Sequence, residues 1–224
     1  MAGPECPAIV VFKDEEMSAP NLDRSLDNQW LLLSLLPRFA TRARERVLAN
    51  TDSLPDLLTM NPATLKALGL AAEPLAAIHA WQAEDFSHPV IAELMRIRND
   101  CQQAGIRLIG QHHEHFPEAL RQIHDAPMLL YALGDTGLLL QDQIGVVGSR
   151  NATRAGLDHA RKFSAELGRR GLLVTSGLAL GIDGAAHAGA LDAGHPTVAV
   201  VGCGLDRLYP AQHHQLAYRI IDNG

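Results

Sequence analysis

The sequence predicts a mixed α/β protein in which a small helical domain precedes a doubly wound parallel sheet. Apolar residues recur at helical spacing through roughly the first hundred positions. From residue 106 onwards, short apolar runs suited to strands alternate with longer helical stretches, and each of the last three runs ends in a glycine-containing turn. Uninterrupted apolar strands joined by helices indicate a doubly wound domain, with a sheet that is covered on both faces.

Composition excludes several classes of protein. The 224 residues are 47% hydrophobic and 20% charged, unlike a disordered chain, and no apolar run approaches the roughly 18 residues of a membrane span. Cys6, Cys101 and Cys203 are far apart, which excludes a disulfide framework and, with no signal peptide at the start, favours the reducing cytoplasm. The formal net charge of -6 means that any nucleic acid must be held by a local basic patch.

The first 104 residues divide into a flexible tail over residues 1–20 and a helical domain over residues 21–104. Asn61-Pro62 and Gly69 mark a turn and a helix end, and a final helix over Pro89–Gln103 stops before Gly105. The apolar positions at helical spacing include Leu26, Trp30, Leu33, Leu36, Val47, Leu58 and Leu65. We expect Trp30 and Trp81 to anchor the core.

Residues 105–224 form the predicted α/β domain. Its five predicted strands are Ile106–Ile109, Met128–Leu133, Ile144–Val147, Leu172–Thr175 and Thr197–Val201. Helical patterns follow the last three strands at Ala155–Arg169, at Asp183–Ala193 and from about Ala211. Five strands are few for a sheet with two covered faces, and the sequence stops where another strand would enter. We therefore expect a sheet that is incomplete at its C-terminal side, with an exposed edge.

Three glycine-rich turns are the candidate binding site. They are Gly148-Ser149-Arg150-Asn151, Ser176-Gly177-Leu178-Ala179-Leu180-Gly181 and Gly202-Cys203-Gly204. Each follows a strand, and ligands bind at the carboxyl ends of parallel strands. Glycine lets the backbone approach an anion, and the next helix supplies N–H groups. Arg150 adds a planar cation suited to phosphate, and Thr153 either caps the next helix or donates to the same anion.

Other ligand and catalytic motifs are missing or weak. The first turn lacks the GxGxxG of a dinucleotide site, no Walker loop is present, and no cofactor is expected. Asp183 and His187 share a helix face, where a cap and a packed histidine are preferred to an acid–base pair. The histidines His112, His113, His115 and His124 suggest a solvated loop rather than a metal site. The arginines Arg38, Arg42, Arg44 and Arg46 form a basic cluster that is consistent with a solvated helix face.

The sequence resembles the DprA/Smf family from about Leu22 to its end. The motifs that carry the resemblance are Val147–Arg150 (VGSR), Ser176–His187 (SGLALGIDGAAH) and Gly202–Pro210 (GCGLDRLYP), with Phe116-Pro117 and Asp125–Pro127 upstream. The resemblance implies a helical domain of the SAM or helix-hairpin-helix type and an extended Rossmann fold. It also implies a non-enzymatic protein that binds single-stranded DNA and helps to load RecA recombinase onto it during natural transformation. Members dimerise through the Rossmann domain.

Carried over by motif, the nucleic-acid-binding residues are Gly148, Ser149, Arg150, Thr153, Ser176, Gly177, Gly181, Gly202, Gly204 and Arg207. Leu180 and Ala211 stand where many members have a basic residue, and Arg207 is the expected substitute. The later basic segment of the family's Rossmann domain is absent. The resemblance therefore implies a weakened DNA binder and leaves its dimerisation open.

Two alternatives of other classes stay open. One is a nucleotide-processing enzyme related to the lysine-decarboxylase-like phosphoribohydrolases, although their Pro-Gly-Gly-x-Gly-Thr-x-x-Glu loop is missing. The other is a sheet that only scaffolds protein contacts. In the helical domain, Leu36-Pro37-Arg38-Phe39 lacks the glycines with which a helix-hairpin-helix approaches phosphate. A structural or partner-docking role is therefore favoured there over a DNA contact.

Overall fold

The computed structural model describes residues 22–205 and 209–223. The predicted tail over residues 1–20, and Arg207, lie outside them. The helices are α1 (Leu26–Leu35), α2 (Thr41–Leu48), α3 (Pro62–Ala67), α4 (Ala72–Ala83), α5 (Pro89–Gln103), α6 (Glu118–Arg121), α7 (Arg154–Arg169), α8 (Ile182–Asp192) and α9 (His214–Asn223). The strands are β1 (Arg107–Gly110), β2 (Leu129–Ala132), β3 (Gln143–Gly145), β4 (Leu173–Ser176) and β5 (Thr197–Ala199). Short 3₁₀ turns cover Leu54–Thr59, Thr136–Leu140 and Ala211–His213.

Helix α1 lies at the centre of the helices α1–α5, which we call the helical domain. Its residues Leu31, Leu32 and Leu33 are completely buried, so it contacts neighbours on most of its circumference. Both predicted anchors, Trp30 and Trp81, lie in the same core, which confirms that interpretation. None of the helices among the described residues is long and apolar enough to span a membrane.

Strands β1 and β2 form an antiparallel hairpin that packs on the helical domain. Leu129 belongs to the helical core, and a Cβ atom on Gly110 would lie 2.7 Å from the Trp30 ring, so only glycine allows this approach. Arg44 of α2 ties the hairpin from the other side: it donates to the carbonyl oxygen of Ala126 at 2.9 Å and pairs with Asp125. The five predicted strands therefore divide between two separate sheets.

The parallel sheet has three strands in the order β3-β4-β5. Ile144 pairs with Val174, and Val174 with Thr197, so the three strands are in register. Ile144, Gly145 and the rest of β3 form an exposed edge of this sheet. The prediction of a parallel sheet in a mixed α/β protein is thus confirmed, with three strands rather than five.

The expectation that helices cover both faces of the sheet is wrong for the described residues. Side chains on one face, including Val174 and Val146, pack against Ala186 and Ala190 of α8, and α9 packs on the same face at Ala199. The other face is open towards the carboxyl ends of the strands, with Val147 79% and Val200 63% exposed, although Leu173 near the start of β4 is buried. In a parallel sheet, a right-handed crossover puts its helix on one face when the next strand is added on one side, and on the other face when it is added on the opposite side. Here β4 is added beside β3 and β5 beside β4 in the same direction, so both connecting helices lie on one face.

Candidate nucleic-acid interface

The three glycine turns meet at one edge of the parallel sheet. We name them loop 1 (Gly148–Asn151), loop 2 (Gly177–Gly181) and loop 3 (Gly202–Gly204). The backbone pairing continues beyond the strands, since Val146 donates to the carbonyl of Thr175 at 2.9 Å and Val200 to that of Ser176 at 2.8 Å. All three loops therefore leave the sheet side by side, as the position of their strands requires.

Loop 1 lies directly on the start of α8. The amide of Ile182 donates to the carbonyl oxygen of Ser149 at 3.2 Å, and the Ile182 side chain occupies the space beside Gly148. Gly181 has φ 83°, and a Cβ atom there would overlap the same carbonyl oxygen. Glycine is therefore needed at Gly181 for both its backbone angle and its close contact.

This contact changes which N–H groups are available to a ligand. In α8, the amide of Ile182 is used by Ser149 and that of Gly184 by Ala179, so two of the three amides before the first internal bond are occupied. Much of the N-terminus of α8 is therefore satisfied by the protein itself. The expectation that each following helix offers unpaired N–H groups holds better for α7 than for α8.

Ser176 lies beneath the loops rather than on their surface. It is 4% exposed, and its hydroxyl donates to the carbonyl oxygen of Val146 at 2.6 Å. Gly177, the next residue, is exposed, and a Cβ atom there would lie 2.9 Å from a carboxylate oxygen of Asp183. Ser176 thus joins β4 to β3 below the loops, and the exposed part of loop 2 begins at Gly177.

Loop 1 presents the polar groups. Arg150 is exposed and pairs with no carboxylate in the described part of the chain. The Ser149 hydroxyl oxygen accepts from the amide of Asn151 at 3.1 Å, which leaves its hydrogen able to donate. Thr153 caps α7, its hydroxyl oxygen accepting from the amide of Gly156 at 3.1 Å. A guanidinium and hydroxyl donors are thus presented close to the positive end of a helix dipole.

Arg154 is a candidate that sequence reasoning missed. It is the first residue of α7, it is exposed, and none of the ion pairs within residues 22–205 and 209–223 includes it. The amides of Arg154 and Ala155 precede the first internal bond of the helix. The signal was present, because Arg154 follows Arg150 by four positions, directly after the predicted N-cap Thr153.

Loop 3 is the most open of the three. Gly202 and Gly204 are exposed, and a Cβ atom on Gly202 would have no neighbour within 4 Å. The segment that follows returns to loop 2 through His213, whose Nδ1 lies 2.9 Å from the carbonyl oxygen of Leu178. The His213 ring also fills the space that a side chain at Gly184 would need.

Asp183 and His187 lie inside the domain. Asp183 is 8% exposed and accepts from the amide of Ala179 at 3.4 Å, which orients loop 2. His187 is completely buried, and its Nδ1 lies 2.8 Å from the hydroxyl of Thr197. The Thr197 hydroxyl donates its hydrogen to the carbonyl oxygen of Val174, so the Nδ1–H of His187 donates to the Thr197 hydroxyl oxygen. Burial lowers the pKa of His187 to about 4, so the ring is neutral at physiological pH.

The histidine-rich segment packs against α1. The His112 ring stacks on Trp30 with 6.3 Å between centroids, and its Nε2 lies 3.3 Å from Asp27. His115 contacts the hydroxyl of Thr136 at 2.7 Å. The residues that the structure describes contain no cluster of three or more metal-ligating side chains. His112 therefore joins this segment to α1, whereas His115 is held by Thr136 within the segment that follows.

Comparison with known proteins identifies relatives of this chain. DNA processing protein DprA of Bacillus subtilis is 36% identical over 126 residues, which are 56% of this chain and 42% of that relative. Protein Smf of Synechocystis is 34% identical over 186 residues, covering 74% of this chain and 46% of the relative. The chain therefore spans less than half the length of these two relatives.

A solved structure shares the fold. The X-ray structure of DNA processing protein A from Streptococcus pneumoniae superimposes with a TM-score of 0.66 at 26% identity, covering 85% of this chain and 63% of that one. The family model described as DNA recombination-mediator protein A matches residues 107–224, which include all three loops. This match covers more than half of the sequence. The chain belongs to the DNA recombination-mediator protein A family, as the DprA/Smf resemblance implied.

Proposed function

We propose that the protein binds single-stranded DNA, and that loops 1, 2 and 3 hold its sugar–phosphate backbone. One observation carries the proposal: Arg150 and Arg154 stand exposed, with no carboxylate partner among the described residues, at an edge where three glycine loops meet. Family membership supports DNA as the source of the phosphate. The bases carry no role in this contact, so affinity depends on charge and on an accessible backbone.

The loops differ in what they contribute. Loop 1 provides Arg150 and the hydroxyl of Ser149, and α7 adds Arg154 and its first amides. Gly202 provides exposed backbone that a phosphate can approach without meeting a side chain, whereas exposed Gly177 has the Asp183 carboxylate 2.9 Å from its Cβ position. Gly148 and Gly181 let loop 1 lie on α8, and Ser176 fixes β4 to β3 beneath them. Arg207 is a further proposed cation between loop 3 and His213.

The family resemblance extends the proposal to the protein's partners. We propose that the DNA-bound protein presents the strand to RecA recombinase in the cytoplasm during natural transformation, and that it acts without catalysing a reaction. The burial of His187 and its low pKa support the absence of a general acid or base there. Dimerisation belongs to the same proposal, and sedimentation of the chain with and without DNA tests it.

The binding experiment measures fluorescence anisotropy of a labelled thymidine oligonucleotide against wild type, Arg150→Gln and Arg161→Gln. Arg161 is the matched control, because it is also exposed and without an ion pair in the described structure, but it lies two turns along α7. We expect Arg150→Gln to weaken binding strongly and Arg161→Gln to leave it nearly unchanged. Equal affinity of wild type and Arg150→Gln would contradict the role of loop 1. A duplex bound as tightly as the single strand would contradict the strand preference.

A further inference from the structure

The arginines of the helical domain fall into two groups. Most are neutralised within the protein, through the pairs Arg24–Glu84, Arg38–Glu73, Arg44–Asp125, Arg96–Glu93 and Arg98–Asp23. Arg42 and Arg46 of α2 have no carboxylate partner among the described residues, and neither has Lys66 of α3. The sequence has 25 acidic against 19 basic residues, so acids are not scarce. The cations left without partners are therefore concentrated on α2 and α3.

The geometry of α2 separates these arginines from Arg44. Arg44 points to the β-hairpin, where it contacts Asp125 and Ala126. Arg42 and Arg46 are four residues apart and share the other side of the helix. Like charges at this spacing repel each other, and a bound anion would remove the repulsion. The outward side of α2 thus has the charge pattern of an anion site.

A groove lies along this side of α2. Two adjoining depressions of about 500 and 560 Å³ share Arg46 and Ala49 in their walls. Arg42 and Glu45 line one depression, and Asn50, Thr64 and Leu68 line part of the other. We call these two depressions the α2 groove.

Arg46 lies across the groove. A Cβ atom on Gly69, which has φ 69°, would come within 3.1 Å of Nη1 of Arg46, so the glycine leaves room for the guanidinium. Glu45 is the acidic residue of the groove, and its carboxylate lies 3.7 Å from His124. Asn50 adds an amide, one hydrogen of which is donated to the carbonyl oxygen of Arg46, while the Thr64 hydroxyl donates to Asn61. Paired guanidiniums beside neutral polar groups match the oxygens of phosphate.

We propose that the α2 groove binds the phosphodiester backbone of a single nucleic-acid strand, as a second contact separate from loops 1 to 3. The proposal rests on the proposed function for the identity of the ligand as single-stranded DNA. Its basis is the two arginines without carboxylate partners in the described structure, the groove that they line, and the placement of Arg46 over Gly69. The helical domain then contributes to DNA binding through arginine side chains, and does so without the glycines of a helix-hairpin-helix.

The test compares the full chain as wild type, Arg150→Gln, Arg42→Gln/Arg46→Gln and all three substitutions together. Anisotropy is measured with labelled thymidine oligonucleotides over a salt series. Arg24→Gln/Arg96→Gln is the control, because it removes the same charge from arginines that are paired. Arg42→Lys/Arg46→Lys keeps the charge, and circular dichroism confirms that each variant is folded.

We expect Arg42→Gln/Arg46→Gln to weaken binding on the order of tenfold at low salt. The slope of log affinity against log salt should fall by about 1.4, since each single-strand phosphate contact contributes about 0.7. The lysine pair should restore most of the slope. An affinity and slope equal to those of the control would overturn the inference.

The other outcomes separate this inference from the proposed function. Loss of binding in Arg150→Gln alone leaves the loops as the site and rejects the α2 groove. Loss of binding in Arg42→Gln/Arg46→Gln alone supports the α2 groove and rejects loop 1 as the site. Wild type that binds no oligonucleotide rejects both. Competition by polyglutamate as effective as unlabelled oligonucleotide would show that the groove takes an acidic protein segment, and would overturn the assignment to nucleic acid.

Discussion

The amide of Ile182 donates a hydrogen bond of 3.2 Å to the carbonyl oxygen of Ser149. This bond joins loop 1, which carries Arg150, to the first residue of α8. The position of the exposed guanidinium therefore depends on a contact between two different strand–helix crossovers. It also explains why Gly181 has no room for a side chain.

Gly181→Ala should destabilise the fold by about 2–4 kcal/mol. Alanine there combines a positive φ of 83° with an overlap on the Ser149 carbonyl oxygen. Gly171→Ala is the matched control, because Gly171 has φ 78° and no atom within 4 Å of the added Cβ, so it costs only about 1 kcal/mol. Urea unfolding measures both free energies. Equal losses of unfolding free energy in Gly181→Ala and Gly171→Ala would show that loop 1 moves away from the added methyl group without cost.

Thr153→Ala should lower stability by about 0.5–2 kcal/mol, because it removes the oxygen that accepts from the amide of Gly156. Thr153→Asn retains a side-chain acceptor and should recover most of the loss. Thermal and urea unfolding measure the difference. An alanine variant as stable as wild type would mean that water replaces the cap without cost.

Arg154→Gln should weaken binding of single-stranded DNA and reduce the salt slope by about 0.7. The physical reason is the loss of an exposed cation at the start of α7, four positions after Arg150. Arg161→Gln, farther along the same helix, should keep the wild-type slope. Anisotropy over a salt series measures the slope of each variant. Identical slopes for Arg154→Gln and Arg161→Gln would show that Arg154 does not contact the DNA.

Stability should fall as the pH drops from about 6.5 to about 4. Burial lowers the pKa of His187 to about 4 in the folded protein, so over this range the unfolded chain binds a proton that the folded chain does not. Stability therefore rises with pH through this window, by up to about 3 kcal/mol. The ring C–H resonances of His187 report its titration directly. A midpoint near 6.5 would contradict the burial argument.

The sequence predicted which loops meet, because parallel strands place their carboxyl ends together, and the burial of Trp30 followed from helical spacing. It did not predict the division of the five strands into two sheets, since strand patterns carry no partner information. Ser176 was assigned to the DNA-binding pocket by motif, yet it shares the side of β4 that includes Val174 and donates to Val146. The unpaired state of Arg42 and Arg46 depends on tertiary neighbours, which spacing alone does not give.

The most direct test of the central claim is an amide NMR titration of the ¹⁵N-labelled chain with a short thymidine oligonucleotide. If loops 1 to 3 hold the phosphate backbone, the largest shift changes fall on Ser149, Arg150, Ala155, Gly177 and Gly202, and they weaken as salt is added. If the oligonucleotide binds while these amides stay unchanged, the three loops are not the DNA site.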